Sequence, residues 1–233
     1  MYLSRVSLDL SRLESLAFVS SPYKIHAAIE QAFSPQALRE TSEGRILWRL
    51  DEVPQSRFTS WLYVLSPEKP DFTAVCKQAG ESPTSSWITK DYTPVMNRIA
   101  EGQLWQFRLK ANPVRKVLVD KGRKGREGIV GTIQGHVTEA QQCSWLLDRA
   151  ESHGFQIAKS KEGFERLVIS HRRRENFKRK QSIVTLSTAQ FDGVLTVTNA
   201  ELFRHALGFG IGRARGFGCG LMTIAPFQES GND

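Results

Sequence analysis

The apolar residues of this chain change period in the order strand, helix, strand, strand, helix, strand, and then run through much of that order again. Tyr2, Val6, Leu8 and Leu10 share one side of an alternating segment, and Arg5, Ser7 and Asp9 the other, which predicts a strand. Ser21 and Pro22 suit the N-cap and first position of a helix, with Ile25, Ala28, Ile29, Ala32 and Phe33 as its apolar stripe and Pro35 beyond its end. Strands are expected over residues 45–50 and 58–65, loop over most of 68–91, a short helix over 93–101 and a strand over 104–109. In the second pass, Thr138 and Gln141 have capping-box spacing before a helix with Ala140, Cys143, Leu146, Leu147 and Ala150 on its apolar face and Gly154 as its stop. Strands over 166–170, 183–186 and 194–198, a helix over 200–207 capped by Asn199, and a strand over 221–225 complete the chain. The opening strand of this second unit is the least distinct element. Two βαββαβ units in tandem predict an α+β protein with two small antiparallel sheets, each offering an open face, divided as residues 1–113 and 114–233.

The length of 233 residues fits two small domains or one large one, and 40% hydrophobic residues supply a core. Lys and Arg number 32 against 24 acidic residues, a net charge of +8 that implies a polyanionic partner. No apolar run reaches membrane-spanning length, and the N-terminus alternates where a signal peptide is continuously apolar. Cys76, Cys143 and Cys219 lie far apart without CxxC spacing, which fits a reducing cytoplasm. Residues 121–128 (KGRKGREG) have no apolar side and are expected to form a mobile surface loop.

The sharpest motif is GIGRARGFGCG, residues 210–220. Gly210, Gly212, Gly216, Gly218 and Gly220 permit backbone conformations that turn successive N–H groups toward a phosphate, with Arg213 and Arg215 as cationic support. It is not a Walker loop, because no Gly-Lys-Ser/Thr follows. A second motif is HRRRENFKRK, residues 171–180, in which seven of ten residues are His, Arg or Lys. It lies between two strand-like runs and reads as a basic β-hairpin tip, with Arg172, Arg173, Arg174, Lys178, Arg179 and Lys180 as candidate RNA contacts; a solvated charge run is the plain alternative. Arg108, Lys110 and Asn112 form a smaller polar cluster with the same two readings. Tyr23 and His26 stand at i, i+3 on the first helix, on one side of it. By spacing alone His26 reads more readily as an ordinary helix-surface histidine than as a catalytic one. No convincing carboxylate or His/Cys cluster suggests a metal site, and no cofactor is expected.

The glycine loop near the C-terminus resembles the signature of the repeat-associated RNA-binding superfamily of CRISPR proteins. MYLSRV at the start, FRLKANP (residues 107–113), FDGVLTV (residues 191–197) and the closing GCGLMTIAP narrow the resemblance to the CasE family, the repeat-RNA endoribonucleases of type I-E Cascade. The resemblance spans most of the chain and implies two tandem ferredoxin-like, RRM-like domains. It implies that His26 is catalytic, with Tyr23 assisting, that cleavage needs no metal and leaves a 2′,3′-cyclic phosphate, and that the basic hairpin grips a repeat stem-loop. The implied partners are CRISPR repeat RNA and other Cascade subunits, with no membrane, and the free chain is expected to be a cytoplasmic monomer. A non-catalytic RNA-binding subunit of the same superfamily, and a general basic protein that binds ribosomal RNA or acidic membrane, remain open at this point.

Overall fold

The computed structural model of the chain describes residues 1–82, 87–118, 130–179 and 181–227. The basic loop 121–128 and Lys180 lie outside the described residues. The first unit runs β1 (Tyr2–Asp9), α1 (Leu13–Val19), α2 (Pro22–Glu30), β2 (Leu47–Val53), β3 (Ser56–Ser66), α3 (Thr73–Gln78) and β4 (Trp87–Asp91). Its sheet has the order β2-β3-β1-β4, with every neighbouring pair antiparallel. This is the βαββαβ arrangement expected, because β3 returns beside β1 through a hairpin while helices cover one face. Ile25, Ala28 and Ile29 of α2 pack with Val6, Leu8, Leu62 and Val64 of the sheet, and Phe72, Val75, Cys76 and Ala79 close the cluster from α3.

The short helix α4 (Thr93–Asn97) leads into the second unit. That unit comprises β5 (Leu104–Ala111), a small hairpin of β6 (Val114–Lys116) and β7 (Ile133–Gly135), α5 (Glu139–Ala150), β8 (Phe155–Ile157), β9 (Leu167–Arg179), β10 (Ser182–Val197), α6 (Ala200–Phe209) and β11 (Met222–Pro226). Its sheet has the order β11-β5-β10-β8, with β9 also paired to β10. Helix starts follow the sequence closely. Thr138 and Gln141 form a reciprocal capping box, and the Asn199 side chain accepts a hydrogen bond from the Leu202 N–H at 2.9 Å.

Two expectations change. The strand 104–109 was expected to close the first sheet, with a boundary after 113. Instead β5 pairs with β10 and β11, so it opens the second sheet and the change of sheet falls between Asp91 and Leu104. The strand that closes the first sheet is β4, within the stretch expected to be loop, and α3 precedes it in the same stretch. The physical reason is that β4 is a short edge strand whose inner face is only half-buried, by Trp87 and Thr89, so it carries no apolar alternation.

The first sheet is also less open than its architecture suggested. Met1, Leu47 and Leu65 belong to the same apolar cluster as Leu109, Leu146, Phe191 and Leu207 of the second unit. Arg49 crosses this junction almost fully buried. Its guanidinium makes a two-pronged bond to Asp51 (2.6 and 2.9 Å) and donates to the Arg108 and Leu221 carbonyls and the Thr223 hydroxyl, at 2.8, 3.0 and 2.8 Å. All five guanidinium N–H groups have a place in this set. The two units are thereby fixed at the edge where β2 meets β5 and β11.

Candidate active site and nucleic-acid interface

α2 turns Ile25, Ala28 and Ile29 inward and leaves Tyr23 and His26 half-buried at the edge of the stripe. The His26 ring meets the glycine loop of the other unit. A Cβ built on Gly216 would lie 3.7 Å from Cε1 and 3.8 Å from Nε2 of His26. Phe217 stands edge-on to the imidazole, with ring centres 6.4 Å apart, and packs in turn on Phe177 of β9 at 5.0 Å. The Arg179 guanidinium lies 5.7 Å from the centre of the same Phe217 ring. Three distant segments thus converge: α2, the glycine loop and the outer half of the β9–β10 hairpin.

The loop glycines divide by role. Gly210, Gly218 and Gly220 are buried, while Gly212 and Gly216 are half-buried. Gly218 has φ 78° and an added Cβ would sit 2.7 Å from the Trp48 ring, whereas Gly216 is not in the left-handed region. The buried glycines therefore seat the loop on the protein, and Gly216 keeps the space beside His26 open. Between Gly218 and Gly220, burial pushes the Cys219 thiol up to about 12. Gly218→Ala is expected to cost about 1–3 kcal/mol of stability through strain and overlap with Trp48. Gly216→Ala makes only ordinary contacts and is expected to stay within about 0.5 kcal/mol of the parent. Urea unfolding of the two variants side by side checks this order, and equal losses would refute it.

The basic segment runs along one long strand rather than a tip, because β9 extends to Arg179 and pairs Arg179 with Ser182 of β10. Its neighbours then sort its cations. Arg172 donates to the Gln142 side chain and the Val137 carbonyl, and Arg173 to Glu52 at 2.8 Å, so both tie the hairpin base to the body of the protein. Arg174, Lys178 and Arg179 are exposed. Lys110 donates to Glu175 at 2.9 Å, and buried Asn112 accepts from the Ser187 N–H. Arg108 is paired with Asp192 at 2.6 Å. Of the strand-borne RNA candidates that are described, only Arg174, Lys178 and Arg179 thus present an uncommitted charge to solvent.

At the base of the hairpin, His171 takes a left-handed conformation, φ 45°, where the β9–β10 register shifts. Burial pushes the Glu52 carboxyl up, but the hydrogen bond and charge of Arg173, with His171, outweigh it and hold Glu52 below the usual range.

On the glycine loop, Arg213 is exposed and Arg215 is half-buried. Burial and the neighbouring Arg45 guanidinium hold Arg215 below its usual value, with Glu40 acting in the opposite sense. The Nε atoms of Arg45 and Arg215 are both buried without a hydrogen-bond partner. The two neighbouring guanidiniums, Arg45 also paired with Glu40 at 3.5 Å, concentrate positive charge next to the Gly216–His26 contact, which favours a phosphate there. Arg45, Phe177 and Phe217 are site residues the sequence reading missed. Phe177 had a signal, as the one apolar residue in a charge run, which marks an inward strand position.

Among the described residues, no group of three or more His, Cys, Asp or Glu is placed to hold a metal ion. None of the described helices is long and apolar enough to cross a membrane.

A tandem pair of βαββαβ units, with a helix-borne histidine held against a glycine loop near the C-terminus, defines a class of double ferredoxin-like folds. Residues 1–226 match the family described as CRISPR associated protein, and the chain belongs to that family. It is 25% identical over 231 residues to a Thermus thermophilus protein named CRISPR-associated endoribonuclease Cse3, covering 97% of this chain and 100% of that one. It is 26% identical over 187 residues to the Escherichia coli CRISPR system Cascade subunit CasE, covering 77% and 88% of the two chains. Among solved structures, Cse3 bound to a 19 nt RNA superposes with a TM-score of 0.78 at 24% identity, over 97% of this chain and 100% of that one. The E. coli protein Cas6e superposes with a TM-score of 0.65 at 23% identity, with the same coverage. The shared fold is the tandem ferredoxin-like one.

Proposed function

We propose that this chain is a metal-independent endoribonuclease that cuts CRISPR precursor RNA within the repeat, 3′ of its stem-loop, and stays on the processed RNA as a cytoplasmic Cascade subunit. The observation that carries this is the placement of His26, packed edge-on against Phe217 with its ring atoms beside the open space at Gly216. The relatives named as a CRISPR endoribonuclease and a Cascade subunit support the substrate and the assembly.

The ribose 2′-OH attacks its own 3′ phosphate, the bond to the 5′-oxygen breaks, and a 2′,3′-cyclic phosphate is left. The protein must take one proton, give one, and stabilise the negative charge that builds on phosphorus. A histidine with an ordinary value of about 6.5 serves either proton transfer near neutral pH. Tyr23, one turn away, is suited to position the 2′-OH or donate to a phosphate oxygen. Arg45 and Arg215 hold a neighbouring phosphate, and Arg174, Lys178, Arg179 and Arg213 grip the RNA by charge.

Labelled repeat RNA with a single 2′-deoxy substitution at the cut site tests the mechanism. The substituted RNA is expected to bind but remain intact, and unmodified RNA to be cut in excess EDTA to a product whose 3′ end resists ligation until the cyclic phosphate is opened and the remaining phosphate removed. Cleavage of the deoxy RNA, or a requirement for magnesium, would overturn the mechanism.

A further inference from the structure

On the side of the glycine loop away from His26 lies a second basic cleft, built by the β6–β7 hairpin, α5 and the loop itself. A cavity of about 180 Å³ is lined by Arg115, Lys116, Trp145, Arg149, Gly212 and Arg213. An adjoining cavity of about 450 Å³ shares Arg115, Trp145 and Arg149 and adds His136 and Asp148. Gly212, with φ 87°, sets the loop directly on Trp145, where an added Cβ would lie 2.9 Å from the ring. The Arg149 guanidinium is stacked 4.6 Å from the centre of the same ring and bonds back to the Trp145 carbonyl, which fixes its direction.

Four permanent cations therefore border one trough, and among the described residues Asp148 is the only carboxylate in its walls. Among the described residues, none of the four is in an ion pair. The field they make is felt inside the cleft: burial, then Arg115 and Arg149, push the His136 imidazole below its ordinary value, with Asp148 opposing. Like charges held together this way gain most from a shared counter-anion. The trough is open and elongated, and Arg213 continues it onto the loop that bears Gly216. Gly212 and Gly216 are separated by at most about 14 Å of chain, a span of a few nucleotides.

We propose that this cleft is a second phosphate-binding site for the RNA backbone, holding the strand a few nucleotides from the cleavage point by Arg115, Lys116, Arg149 and Arg213. It rests on the reading of the chain as an RNA-processing protein, and adds a grip that the hairpin and His26 do not supply. The backbone, rather than a free phosphate, fits two adjoining cavities that share Arg115 and Arg149, with Lys116 and Arg213 bordering the smaller one.

The test uses the full-length protein and a repeat RNA made uncleavable by 2′-deoxy substitution, with affinity measured across a salt series. Arg115 and Lys116 are exposed, so the Arg115→Gln/Lys116→Gln protein should fold normally. Loss of two phosphate contacts is expected to lower the slope of log K against log salt by about 1.4 to 1.8. Neutralising exposed Lys161, in the turn after β8, should leave the slope as in the parent. An unchanged slope in the double variant, or an equal drop in Lys161→Gln, would overturn the proposal.

NMR of the His136 ring separates the two sources of phosphate. Bound RNA should raise its titration midpoint by screening Arg115 and Arg149. Millimolar inorganic phosphate that matches this shift and displaces the RNA would make the cleft a small-anion site and overturn the backbone assignment. RNA that binds with the full salt slope but is never cut, even unmodified, would sink the nuclease reading and leave this site standing. A cleaving protein whose slope ignores both substitutions would do the reverse.

Discussion

Replacing His26 with alanine is expected to slow repeat-RNA cleavage by about 10²–10⁴-fold, the usual contribution of a positioned proton-transfer group, while RNA affinity stays within a few-fold of the parent. The two effects separate because the imidazole lies against Gly216 and Phe217, whereas the cations proposed to meet phosphates are the exposed Arg174, Lys178, Arg179 and Arg213. Truncation at His26 leaves Ile25, Ala28 and Ile29 packed, so the helix should not move. Single-turnover cleavage of end-labelled RNA at saturating protein, paired with a filter-binding titration, reads both quantities. A variant that cuts at the parent rate would reduce the chain to an RNA-binding subunit without its own chemistry. A variant that loses binding equally would mean that His26 shapes the interface rather than the reaction.

Arg49→Ala is expected to cost about 3–5 kcal/mol, the largest loss for any single substitution outside the apolar core. Both side chains of the Arg49–Asp51 pair are almost fully buried, and without Arg49 the Asp51 carboxylate keeps only Arg108, at 3.6 Å. The cost is chiefly that of an uncompensated buried charge, so Arg49→Met combined with Asp51→Leu should recover most of it. Arg49→Lys should not, because a single ammonium cannot replace five N–H groups in a planar fork. The position matters for activity as well. Arg49 bonds the carbonyl of Leu221, directly after the glycine loop, so loosening it releases one anchor of the loop that faces His26. Urea midpoints of the four proteins check the series. Arg49→Ala with parental stability would show that the junction is held by apolar contacts alone.

The hydrophobic periods announced the tandem βαββαβ order, and the caps at Thr138 and Asn199 marked two helix starts, because both signals are local and written in consecutive side chains. β4 escaped because a five-residue edge strand whose inner face holds one half-buried aromatic, Trp87, and a threonine has no apolar alternation to read. α3 escaped for a different reason. Phe72, Val75, Cys76 and Ala79 repeat at helical spacing and are buried, but the surrounding Pro, Ser and Lys outweighed a six-residue stripe. With both missed, β5 was assigned to the wrong sheet, since nothing in its own alternation says which partner it pairs with.

The basic segment shows the same limit on the scale of a site. Its charge alone implied a phosphate partner, yet the neighbours Gln142, Glu52 and Glu175 decided which cations stay free. By itself the sequence determined the tandem α+β order and the glycine loop, implied a polyanionic partner and, through family resemblance, pointed to the histidine to watch. Only the tertiary structure brought α2 of one unit against Gly216 and Phe217 of the other, and Arg45 close enough to Arg215 for their charges to interact. Those contacts join residues far apart in the chain, and a residue's pairing across such a distance depends on packing that no local pattern encodes.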